Sequence, residues 1–262
     1  MHRYTILVAA CTALLFVTGP AVSSNEARPL YSLGQTHVWL GTAVVVLTAG
    51  LVVWLWRVKE RVWLQRLAWL ALGGAIVEGL LGLIPEPMPA SARIAHSLLG
   101  QLFFSTTVAM AVFTSTESAQ SPGPEERGAL LKFVALAIPL LALSQVALGI
   151  VFRHGIIGMA PHILWAFVVA LSFLFVIAAT RDAAQAEVRR AGVTFTVVAA
   201  VQIFFGFALF LMQAVDADPT LIIVTTAIHA ITGACTLAAA LVMSLLIRRS
   251  KWRSETVDIR WN

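Results

Sequence analysis

Charge is what this 262-residue chain has least of: 12% of its residues are Asp, Glu, Lys or Arg, against 59% hydrophobic. A water-soluble domain of that size lacks the polar surface to cover so much apolar material. Cysteine is also scarce, with Cys11 and Cys235 alone and no CxxC spacing, which excludes a thiolate cage and a dithiol redox centre. Both cysteines fall inside apolar runs and read as small hydrophobes, with no disulfide expected.

What the chain does have is long apolar runs, uncharged apart from Glu78 and Lys132. They cover roughly positions 4–21, 34–56, 67–84, 94–115, 131–152, 162–180, 191–213 and 221–247. About 20 residues of helix cross a bilayer core, and helices satisfy their own backbone groups there. The fold class is therefore all-α integral membrane, with eight transmembrane helices and the lipid bilayer as solvent. The stretch Met1–Arg3, Tyr4–Val17 and Ala21–Ser24 also has the outline of a signal peptide, whose removal would leave seven spans.

The net charge of +5 and pI near 9.9 are distributed as a topology signal. Fifteen Lys and Arg lie in Arg3, the even-to-odd connections and the tail, against Arg28, Arg93 and Arg153 on the opposite side. The positive-inside rule places both termini in the cytoplasm and the protein in the inner (cytoplasmic) membrane. No nucleic-acid partner is needed to explain the basic excess.

Laid over one another, the runs repeat. The second begins Gln35-Thr36-His37-Val38-Trp39-Leu40-Gly41, and the fourth has Arg93-Ile94-Ala95-His96 followed by Gly100. The sixth has His162 followed by Ala166, and the eighth His229 followed by Gly233. Residues i and i+4 share a helix face, so a small residue lies one turn deeper than each imidazole. That leaves room for a flat ligand or for a neighbouring helix. Three odd runs carry an echo near their outer ends: Glu78-x3-Gly82, Gln145-x3-Gly149 and Gln202-x3-Gly206. The pattern divides the chain into two pseudo-symmetric four-helix bundles, 1–119 and 127–250. A cytoplasmic linker at 120–126 contains Ser121-Pro122-Gly123-Pro124, and a cytoplasmic tail follows at 251–262.

A buried ionisable side chain in a membrane is costly and points to function. A lone His reads equally well as a helix-packing hydrogen bonder; four at one depth argue for more. Zinc would want Cys or carboxylate ligands beside them. A proton relay using Glu78 leaves the small residues unexplained. Haem accounts for more of the pattern, because two facing imidazoles ligate iron axially between apolar walls. The pairs are then His37 with His96, and His162 with His229, all four ligating haem iron.

Arg93 and Arg153 are the candidate propionate partners, with Arg28 a weaker one. His154 either covers a haem edge or faces water, and His2 is a terminal residue with no assigned role. The Trp residues near span ends, Trp165 among them, are expected at membrane interfaces. Met159 reads as apolar loop filler. Glu78 reads as a neutral packing acid, a proton donor and weak catalytic candidate, or a hydrogen-bond partner to a ligand His.

These residues resemble the haem A synthase family over nearly the whole chain. Glu78-Gly-Leu-Leu-Gly82-Leu-Ile-Pro85 followed by His96 is similar to that family's passage from helix three to helix four. Gln145-Val-Ala-Leu-Gly149-Ile-Val-Phe-Arg153-His154 is similar to its helix-five exit. The resemblance implies oxidation of the C8 methyl of haem O to a formyl, giving haem A, during cytochrome oxidase assembly. It implies haem b on His162 and His229, and substrate haem O on His37 and His96. It also implies a separate electron donor and a farnesyltransferase (haem O synthase) as partner. The family's helix-two Glu-x-x-His-Arg is missing, since Gly34 and Val38 stand there, and residues 22–33 hold no Cys pair. Gln35 and Glu78 are the candidates to compensate. A haem-binding assembly or electron-transfer protein without catalysis is the alternative.

Overall fold

Each apolar run becomes a helix, and adjacent helices run back and forth. The computed structural model describes residues 1–22, 31–58, 61–85, 87–115, 129–183 and 185–257. Among them are α1 (His2–Val22), α2 (Tyr31–Val58), α3 (Val62–Gly82), α4 (Ala90–Thr114), α5 (Ala129–Arg153), α6 (Ala160–Thr180), α7 (Ala186–Ala214) and α8 (Pro219–Val257). All eight are long and apolar enough to cross a membrane. Arg28, the 120–126 linker and residues 258–262 lie outside the described residues. The boundary expected at 250 falls inside α8, which continues to Val257 because no Gly or Pro interrupts the run after Arg248.

In one set α1 packs on α2 and α4, while α3 packs on α2 and α4. In the other, α5 packs on α6 and α8, while α7 packs on α6 and α8. Each set of four therefore closes into a ring. The α8 helix also packs on α1 and α4, joining the rings. Leu51, Leu64, Ala68 and Met110 centre the first ring; Ile138, Phe195, Met243 and Ile247 centre the second. Phe104, Ala234 and Ala238 form a smaller seam between them. Lipid tails are as apolar as these side chains, so close fit and interhelical hydrogen bonds hold the bundle rather than burial from water. The outward faces remain apolar, with Trp69, Leu70, Leu174 and Phe204 exposed where lipid would lie.

Helix α1 is built into the first ring. Thr5, Val8 and Thr12 are buried, and Thr5 Oγ1 lies 2.8 Å from Thr114 Oγ1 on α4. His2, for which the sequence suggests no role, has Nδ1 3.0 Å from the Ala111 carbonyl. The seven-span alternative would open this ring.

Pro139 inside α5 has no N–H, so the Ala135 carbonyl loses its helical partner. The Ser244 hydroxyl of α8 donates to that carbonyl, and both residues are buried. An orphan acceptor that hydrocarbon would penalise thus becomes an α5–α8 link.

Helices α5 and α7 end alike. Ile156 N–H bonds the Val151 carbonyl at 3.2 Å across Gly155, and Ala217 N–H bonds Met212 at 3.0 Å across Asp216. Gly155 and Asp216 adopt φ of 74° and 48°, the left-handed turn that closes a helix and turns the chain back. Asp218 Oδ1 then accepts from Thr220 N–H at 2.8 Å, capping α8.

Candidate functional site: two histidine pairs at one end of the bundle

Each even helix lays its histidine against a glycine at the end of the odd helix before it. A Cβ on Gly19, Gly82, Gly149 or Gly206 would meet Cε1 of His37, His96, His162 or His229 at 3.4, 3.2, 2.8 and 2.9 Å. At the last two positions any side chain would displace the ring. The sequence pattern identifies three of these seats. The fourth, Thr18-Gly19, sits in the small-residue stretch that also resembles a cleavage site, which hides it.

Polar residues beside those glycines fix the rings. His96 Nδ1 donates to the Glu78 backbone carbonyl at 3.3 Å, and Glu78 Oε2 stands 3.2 Å from the same nitrogen. His229 Nδ1 donates to the Gln202 carbonyl at 3.2 Å. His37 Nδ1 donates to Thr18 Oγ1 at 2.8 Å, while that hydroxyl donates to Leu15 O at 3.3 Å. His162 has a backbone hydrogen bond with Gln145, whose Nε2 also lies 3.3 Å from Nδ1. A carbonyl only accepts, so at His96 and His229 the proton belongs on Nδ1 and Nε2 carries the lone pair. That is the tautomer a metal-ligating imidazole uses, with its second nitrogen held by the protein. In the second ring the Nε2 side is met by glutamine amides, Gln202 Nε2 at 3.2 Å from His229 Nε2 and Gln145 Nε2 at 3.4 Å from His162 Nε2.

Across each ring of helices the histidines pair as the sequence suggests. His37 and His96 have ring centroids 6.4 Å apart at 70°, and His162 and His229 6.3 Å apart at 84°. No three His, Cys, Asp or Glu side chains come together as a metal site among the described residues. Each facing pair is a set of two imidazoles that could hold a metal or a haem iron between them.

The small residue one turn deeper has a different job from the one its position suggests. A Cβ at Gly100 would sit 2.9 Å from Glu78 Oε1, and one at Gly233 3.1 Å from Gln202 Nε2. These glycines seat the polar side chain of the preceding helix. At Gly41 the space is open, with nothing within 4 Å. In the second ring Thr232 donates to Gln202 Oε1, turning Nε2 toward His229 Nε2 at 3.2 Å. The corresponding position after His162 is Trp165, which instead donates to the Leu141 carbonyl at 3.2 Å, so it ties α6 to α5. Gln145 Oε1 is left buried with no hydrogen-bond partner.

Of the other candidates, Gln35 is exposed, whereas Glu78 is the acid brought to the histidines. Gly34 and Val38, the latter 53% exposed, give α2 neither acid nor guanidinium at those positions. Met159 precedes α6 as its N-cap residue. His154 is half-buried, with Nε2 3.5 Å from Ser97 Oγ on α4. Burial, then the charges of Arg153 and Arg93, hold its imidazole below the ordinary histidine value. Arg93 and Arg153 thus both act on one residue.

The fold and these pairs define a multi-pass, all-helical membrane protein with two facing-imidazole sites at one end. No protein-family model matches the chain, and no curated protein matches it in sequence.

Proposed function

We propose that the protein is a two-haem membrane oxidoreductase of haem A synthase type. The carrying observation is the separation of the paired imidazoles. Metal–imidazole bonds of about 2 Å on opposite faces of one iron put the ring centroids about 6 Å apart. Both pairs have that spacing, at 6.4 and 6.3 Å. The Nδ1 partners orient the imidazoles so that Nε2 is the nitrogen that would hold the group. In the second ring the amides of Gln202 and Gln145, 3.2 and 3.4 Å from Nε2 of His229 and His162, would have to swing aside for the group to bind.

His162 and His229 would hold haem b, and His37 and His96 the substrate haem O. Bound haem would supply the redox chemistry for taking the C8 methyl to a formyl by successive oxidations, with dioxygen as the oxidant. The protein's part is to orient four imidazoles through Thr18, Glu78, Gln145 and Gln202, and to keep the sites within apolar helices. Arg93 and Arg153 are the carboxylate partners. An electron donor and a farnesyltransferase supplying haem O complete the scheme. The fifteen-to-three cation distribution supports a cytoplasmic membrane location with cytoplasmic termini, and the repeat supports two pseudo-symmetric bundles.

A pyridine-haemochrome spectrum of purified protein is the direct test: haem b is expected, and its absence rejects the proposal. Co-expression with a haem O source should then yield haem A. The alternative, a haem-binding assembly or electron-transfer protein, is favoured by Gly34 and Val38, which leave His37 without the family's acid and arginine. A two-haem spectrum with no turnover would select it.

A further inference from the structure

The end of the bundle that carries the histidines also gathers positive charge at the seam between the rings. Arg93 and Ser97 are one turn apart on α4 and share a face. The α5–α6 loop brings His154 to Ser97, at 3.5 Å, with Arg153 adjacent in the chain. Arg93 Nε is buried without a hydrogen-bond partner, and among the described residues Arg93 forms no ion pair. A buried guanidinium donor left unpaired costs free energy, and like charges gathered at one point repel. An oxyanion relieves both, because guanidinium, hydroxyl and imidazole N–H all donate to it.

We propose that Arg93, Ser97, Arg153 and His154 form a single oxyanion site bridging the two rings, which binds one carboxylate or phosphate group. Two sources carry that chemistry: a haem carboxylate, which rests on the functional reading above, and the phosphate of an anionic lipid, which does not. The site replaces two separate anchors with one that spans both rings. Its occupant therefore ties α4 to the α5–α6 loop.

The test compares wild type with the Arg93→Gln/Arg153→Gln double variant in two arms. Native mass spectrometry reads retained phosphatidylglycerol against phosphatidylcholine. Reconstitution reads affinity for haem b against its dimethyl ester. At least a tenfold loss of phosphatidylglycerol preference in the variant assigns the site to lipid phosphate. A tenfold loss of preference for the free acid over the ester assigns it to a haem carboxylate. If wild type binds no haem, the haem reading fails and the lipid arm alone decides the site. A variant matching wild type in every arm that binds its probe overturns the proposal. Should the double variant fail to fold, Arg93→Gln and His154→Gln singly are read the same way, with threefold losses expected.

Discussion

The two histidine pairs share a frame and differ in what holds it. In both, an odd-helix glycine seats the imidazole and a neighbouring polar group takes Nδ1. The first pair is held by the Thr18 hydroxyl and by Glu78, the second by the neutral amide residues Gln145 and Gln202. Spacing is thus repeated while the electrostatics beside the rings are not. The partner of a metal-ligating histidine tunes orientation and basicity, so this is where two sites on one scaffold can diverge.

The largest effect that tests the comparison comes from the ligands. His162→Ala and His229→Ala should each lower haem b content more than tenfold by haemochrome, while His37→Ala and His96→Ala leave most of it. Full haem b in both second-ring variants would reject the assignment. Next come the Nδ1 partners, where loss costs roughly 10–100-fold in metal-site affinity. Glu78→Ala should weaken haem binding at the first pair alone, and Gln202→Ala at the second alone. Equal effects at both sites in either variant would erase the distinction.

Glycine seats should follow the clearances around a Cβ at each. Gly149→Ala and Gly206→Ala, at 2.8 and 2.9 Å from a ring atom, should overpack and lower stability by about 1–3 kcal/mol in a detergent unfolding assay. Gly19→Ala, at 3.4 Å, should be tolerated with a smaller change. The smallest effect concerns His154. NMR should show its imidazole titrating below 6.5, so protonation is disfavoured by burial and by Arg153 and Arg93. Arg93→Gln removes one of those charges and should move the titration upward; a downward shift would contradict the arrangement.

The eight helices were legible because each apolar run is long, carries at most one charge and is bounded by charges or turn residues. The histidine pairs were legible because four His-x3-small motifs recur at one end. Thr18 was not, since a threonine–glycine step in a small-residue stretch has no distinctive composition. The Ser244 hydrogen bond to Ala135 was equally hidden, although Pro139 signals that a carbonyl needs another donor. Nor could sequence show Arg93 and Arg153 acting together, because they are far apart in the chain and on different helices.

The histidine motifs, read as sequence, determined that imidazoles recur at one depth, because helical periodicity and apolar length are local properties. Only the tertiary structure decided what lies beneath each one. The deeper small residue is filled by Glu78 at Gly100 and by Gln202 at Gly233, while Gly41 stays open. Those contacts depend on how neighbouring helices cross, and helix packing sets that geometry rather than the spacing along any one helix.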